Sequence, residues 1–289
     1  MRSLYTLSFF TALTLLYTSV QANDPKDLAA IMKDQVLHGY LDKAELPNSL
    51  TLLPPPPSKN STSHLHDLNI NQQALKLENT PRWKQAAIDS NLLFPKAADI
   101  YACAADVEIN QKTTPTLYKL LQKTLVDIGL TPTLAKTHYQ RPRPFMENGQ
   151  QICHLTPDEQ QTYARLYQET KADLSKDGSY PSGHSALGWG WALIMSEIVP
   201  ERRDHIFLRG RTYAESRAIC NVHWQSDILQ GKLLGSTTVA ALQANTHFQK
   251  DLATAKQEVF KARQAGKKPN PVICQREQEN LSITLKDIL

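Results

Sequence analysis

The chain has 289 residues, with 17 prolines against only 11 glycines, and 32 Lys and Arg against 28 Asp and Glu leave a net charge of +4. Glycine at about 4% lies below the usual share of about 7%, and neither GxGxxG nor GxxxxGK[ST] occurs, which excludes a Rossmann or P-loop enzyme and disfavours an all-β sandwich with regular glycine turns. The basic residues are scattered, which argues against general nucleic-acid binding, and 41% hydrophobic with 21% charged content belongs to an ordinary globular chain.

Residues 1–22 carry Arg2, an apolar stretch from Leu4 to Tyr17 and the exit Val20-Gln21-Ala22, the layout of a secretory signal peptide cleaved after Ala22. The apolar stretch is shorter than the roughly 20 residues a membrane span needs. The expectation is an exported protein, periplasmic or secreted, with no membrane partner. Asp24-Pro25 opens a helix, and Pro54 to Pro57 reads as an extended polyproline connector.

Thr80-Pro81, Thr114-Pro115, Thr131-Pro132 and Thr156-Pro157 each place a hydroxyl cap before a proline suited to a first helical turn. Glu159 completes a capping box with Thr156. Helical spacing then covers about 82–93, 95–109, 115–128, 157–174, 184–198, 201–219, 225–243 and 246–265. In the third of these, Leu117, Leu120, Leu121, Leu125 and Ile128 recur at intervals of three and four. Alternating strand segments are absent. The predicted fold is one all-α domain over 23–265, a helical bundle with an irregular N-terminal arm, followed by a loosely held tail over 266–289.

Four cysteines, Cys103, Cys153, Cys220 and Cys274, contain no CxxC pair, so an exported chain is expected to form two disulfides rather than a zinc site. Three connectivities are open. Pairing of Cys153 with Cys274 is the preferred one, because both lie in loop-like sequence and the bridge would staple the tail.

Three segments carry candidate chemistry. Pro181-Ser182-Gly183-His184 precedes an apolar run, so Ser182 can cap a helix, Gly183 lets the backbone approach a ligand, and the first-turn N–H groups offer an anion site beside His184. Alone, it also reads as an ordinary capped helix with a surface histidine. His223 and Asp227 are four apart, which suits a carboxylate that fixes an imidazole tautomer. Lys136, Arg143 and Arg217 are cations of the kind that bind a tetrahedral oxyanion.

Together these residues match K-x6-R-P, P-S-G-H and S-R-x5-H-x3-D, a signature that resembles the type 2 phosphatidic acid phosphatase superfamily, shared with vanadium-dependent haloperoxidases. The flanks resemble the bacterial class A non-specific acid phosphatases: residues 52–57, 102–106, 138–145, 178–184 and 222–227 carry the likeness. Arg141, two residues before Arg143, is set aside as a decoy because only Arg143 satisfies the motif spacing.

The resemblance implies a phosphate monoester hydrolase of broad range. His223 would attack phosphorus to form a phosphohistidine, Asp227 would hold its ring, and His184 would protonate the leaving oxygen and then activate water. Lys136, Arg143, Ser182, Gly183 and Arg217 would bind the phosphate. The resemblance implies no metal or other cofactor, inhibition by phosphate or vanadate at the same site, and a homo-oligomer. A vanadium haloperoxidase and an apyrase-like nucleotide phosphohydrolase are the alternatives, and an exported phosphate-binding module is a rival from another class.

Other candidates read as structural. His64 and His66 are expected to be solvated, Trp189 and Trp191 to be core, and His138, Asp106 and Glu108 to lack a fixed role. Seven of the glycines fall between 178 and 235, which points to a close-packed anion site there.

Overall fold

The computed structural model describes residues 38–156 and 170–287. The signal segment, the Asp24-Pro25 start, the Thr156 capping box and most of the expected 157–174 helix lie outside the described residues.

In chain order the helices are α1 (Ser49–Leu52), α2 (Thr62–Leu75), α3 (Pro81–Asp89), a 3-10 turn (Lys96–Tyr101), α4 (Ala102–Ala105), α5 (Pro115–Leu130), α6 (Thr133–Tyr139), α7 (Pro144–Asn148) and α8 (Lys171–Leu174). They continue with α9 (Gly183–Ile198), a 3-10 turn (Pro200–Arg202), α10 (Arg203–Ile219), α11 (Gln225–Gln243), α12 (Thr246–Gln264), α13 (Pro271–Asn280) and a final 3-10 turn (Leu285–Asp287). The described residues are helical and contain no strand, as the sequence predicts.

Helix α9 is apolar nearly all round, which marks a buried helix. Ala186, Leu187, Trp191, Ala192, Ile194 and Met195 are buried, and the Trp191 indole N–H donates to Thr124 Oγ1 at 3.0 Å. Truncating such a ring to Ala costs about 3–5 kcal/mol. Helices α10 and α11 flank it, and α5 and α12 complete the main core.

Most of the clustered glycines serve helix packing rather than an anion. A Cβ at Gly235 would stand 2.2 Å from the Ala186 carbonyl oxygen, and one at Gly231 would stand 2.4 Å from that of Ser182. Only glycine lets α11 press against α9 there. Gly183 differs, because a Cβ would meet nothing closer than Pro132 at 3.8 Å.

The proline-led starts are helical, but the threonines act differently. Thr80 accepts from the Trp83 N–H as a cap, whereas Thr131 donates back to the Asp127 carbonyl at 2.8 Å and Thr114 makes no capping bond to its helix.

Two expectations are overturned. The disulfides are Cys103–Cys274 and Cys153–Cys220, with Cα separations of 5.4 and 4.6 Å, not Cys153–Cys274. Cys274 lies on a helix, and Cys220 at the end of α10 faces the 149–156 loop. Likewise the tail is anchored: α13 is bridged to Cys103, Glu277 lies 3.3 Å from the Arg209 guanidinium, Asn280 reaches Gln85, and Leu285 is buried.

Candidate active site

Four helix ends converge at one end of the bundle. They are the starts of α9 and α11, the end of α10, and the end of α6 with the extended segment after it. The Ser182 N–H donates to the Asp227 carbonyl at 3.0 Å, joining the two helix starts directly. Ser182 caps α9 by accepting from the Ser185 N–H at 3.2 Å, and it is fully buried. At the end of α10 the Asn221 side chain ties the connecting turn to Asn71 and Asn148, each at 2.9 Å. Ser216 sits in a buried network with Asp89 and Arg82, which fixes the helix that carries Arg217.

All eight candidate residues belong to these elements, and the candidate nucleophile among them is His223. Its Nε2 lies 3.1 Å from Arg143 Nη1. A guanidinium has donors and no acceptor, so Nε2 is the acceptor and the neutral ring carries its proton on Nδ1. That Nδ1 faces Asp227 Oδ2 at 3.5 Å, an electrostatic contact rather than a hydrogen bond. Burial holds the His223 imidazole well below its usual pKa, and the positive charges of Arg143, Lys136, Arg217 and His184 push the same way. The nucleophile candidate is therefore held toward its neutral form.

Asp227 stands in the first turn of α11, where its carboxylate accepts from the Trp224 N–H at 2.9 Å. Burial raises its pKa, while Arg141 and that N–H pull the other way. His184 is half-buried, and its Nε2–H donates to the Ser90 carbonyl at 3.0 Å.

The cation side is looser. Arg143 is buried and also donates to the carbonyls of Leu174 and Val222 at 2.9 and 3.0 Å. Lys136 donates to Asp177 Oδ2 at 2.7 Å and to the Gly178 carbonyl. Burial and Arg143 draw the Lys136 ammonium down to about 8, with Asp177 acting in the opposite direction. Asp177 also lies 3.6 Å from Arg143, and its side chain is 52% exposed.

Arg141, which the motif spacing passes over, reaches the candidate site. It is buried and donates to Asp227 Oδ1 at 2.6 Å, to Ser226 Oγ at 2.7 Å and to Asp67 Oδ2 at 2.8 Å. Asp67, Ser90 and Asp177 are further residues that motif spacing does not reveal. His64 is buried rather than solvated, accepting from the Asn60 N–H at 3.2 Å and lying near Trp224. His66 and His138 are exposed. A cavity of about 430 Å³ beneath α13 is lined by Glu108, Asp89, Asn91 and Glu277 among others, and contains none of the eight motif residues. Among the described residues no three His, Cys, Asp or Glu side chains are grouped to hold a metal ion, and no helix is long and apolar enough to cross a membrane.

This frame, with two histidines and three cations at the meeting of helix ends, lies within residues 119–250, which match the PAP2 superfamily. The chain is 39% identical over 256 residues to the non-specific acid phosphatase of Providencia stuartii, covering 88% of this chain and 97% of that protein. It is 33% identical over 260 residues to the non-specific acid phosphatase of Salmonella typhimurium, covering 90% and 93%, and 33% identical over 233 residues to the acid phosphatase of Zymomonas mobilis, covering 79% and 82%. The chain belongs to the class A non-specific acid phosphatases of the PAP2 superfamily.

Proposed function

We propose that this chain hydrolyses phosphate monoesters of broad range as an exported acid phosphatase, through a phosphohistidine on His223 and without a metal ion. The observation that carries the reading is the Arg143 contact to His223 Nε2, which identifies the unprotonated nitrogen and turns it toward the cations. The names of the relatives favour phosphate ester hydrolysis over halide oxidation.

The Nε2 lone pair attacks phosphorus as the bond from phosphorus to the ester oxygen breaks. His184 gives a proton to that oxygen, and the alcohol leaves. His184, now neutral, takes a proton from water, the water oxygen attacks phosphorus, and the P–N bond breaks to return the electron pair to Nε2. Lys136, Arg143 and Arg217, with Ser182 and the Gly183 N–H, hold the equatorial oxygens. These cations supply the charge stabilisation that a metal could otherwise provide. General-acid action needs a proton on His184, so activity falls as rising pH removes it.

Acid-quench trapping of a phosphoenzyme from radiolabelled substrate tests this. The wild type should trap label, and His223→Ala should trap none and lose turnover by on the order of 10⁴-fold or more. Unchanged turnover in that variant would falsify the nucleophile assignment. The signal layout and two disulfides support export, with phosphate or vanadate competing at the same site and a homo-oligomeric assembly. Fractionation of cells expressing the full chain, and sizing of the purified product, test those parts.

A further inference from the structure

Outside the motif residues, one cluster of charge presses on the nucleophile from its buried side. We propose that Arg141 and Asp67 act together as positioning residues for His223: Arg141 holds the Asp227 carboxylate, and Asp67 offsets the charge of Arg141 so that the three face His223 as one net negative charge. The proposal rests on His223 as the nucleophile.

The geometry is closed on all sides. Arg141 bridges Asp227 Oδ1 at 2.6 Å and Asp67 Oδ2 at 2.8 Å with different nitrogens. Asp67, on α2, also accepts from the Ser226 N–H at 2.8 Å and the Ser226 hydroxyl at 2.6 Å. The Trp224 ring lies 5.4 Å from the guanidinium. Exposure is 8% for Arg141, 1% for Asp67 and none for Asp227, so solvent does little to screen these charges.

Arg141 alone would neutralise Asp227 and cancel its pull on the ring. A ring phosphorylated on Nε2 and still protonated on Nδ1 carries positive charge, so the reaction needs a net negative partner on that side. Asp67 restores it. The other charged groups that act most strongly on His223 are positive: Arg143 from the segment after α6, Lys136 from α6, Arg217 from α10 and His184 from α9. Asp177 reaches this set only through Lys136 and Arg143.

Removing one unit charge at this depth shifts an equilibrium by roughly 10- to 100-fold. The test uses the full mature enzyme, with rates normalised to the trappable phosphoenzyme so that misfolded protein does not count. Asp67→Asn should lower kcat by roughly 10- to 100-fold, leave inhibition by inorganic phosphate near wild type, and move the acid limb of kcat/KM to lower pH. Arg141→Met should move that limb to higher pH. The double variant, whose cluster again sums to one negative charge, should recover turnover relative to Asp67→Asn. Limbs that stay put or move together, or a double variant worse than the product of its parents, overturn the proposal. Trapping that survives His223→Ala instead overturns the nucleophile reading, so the two failures are distinct.

Discussion

The two sides of His223 are built to opposite rules. On the Nδ1 side, Asp227, Arg141 and Asp67 are buried, mutually bonded and tied to the backbone of α11. On the Nε2 side, Lys136 and Arg143 share a carboxylate, Asp177, whose side chain is half open to solvent. A phosphate dianion can replace an exposed carboxylate on two cations, but nothing can replace Asp67 without entering the core. In the proposed mechanism one side fixes the ring and the other holds the space where substrate charge goes.

The sharpest break between the sides is in stability. Removing one member of a buried ion pair strands its partner, at a cost of about 3–5 kcal/mol. Arg141→Met is therefore expected to lower unfolding free energy by that amount, measured by urea denaturation, whereas Asp177→Ala should cost about 1 kcal/mol or less because its pairs are solvated. Equal losses in the two variants would erase the distinction.

A smaller effect separates the sides by pH. In the proposed mechanism Lys136 binds phosphate only while charged, and its ammonium is drawn down to about 8 by burial and Arg143. As pH rises through about 8 the charge is lost, so kcat/KM should fall there even when His184 is accounted for. Lys136→Met should lower kcat/KM throughout, by about 1.5–3 kcal/mol for a charged hydrogen bond, and remove that alkaline limb. A limb that persists in Lys136→Met belongs to another group.

The cation side was legible in the sequence because its residues are of fixed type at fixed spacing. The buried side was not. Arg141 failed the spacing rule that singled out Arg143, and only the fold shows that its guanidinium reaches Asp227. Asp67 lies on α2, a helix with no apolar periodicity, because its buried face carries His64, Asp67 and Asn71 beside Ile70 and Ala74. A helix that packs polar groups against a site gives no hydrophobic stripe to read. Helix α13 escaped for a different reason: of its residues only Asn280 is buried, and a disulfide and an ion pair to Arg209 supply the anchoring that an apolar face would. The remaining long helices, α5, α9, α10, α11 and α12, follow their predicted spans closely because each has apolar contacts at helical intervals.

The smallest effect tests whether Asp177 yields to substrate. If its carboxylate stands where phosphate charge goes, then Asp177→Asn removes a competitor for Lys136 and Arg143. Inorganic phosphate should then inhibit a few-fold more tightly below pH 7, about 1 kcal/mol or less for a solvated pair. The same substitution takes away the group that holds the Lys136 ammonium up, so the alkaline limb should move to lower pH and the gain in affinity should shrink as pH approaches 8. Added salt screens an exposed carboxylate, so raising ionic strength should narrow the gap between variant and wild type. Weaker phosphate inhibition in Asp177→Asn at every pH would mean that Asp177 orders the cations instead of competing for them, and the looser side of the site would then be as fixed as the buried one.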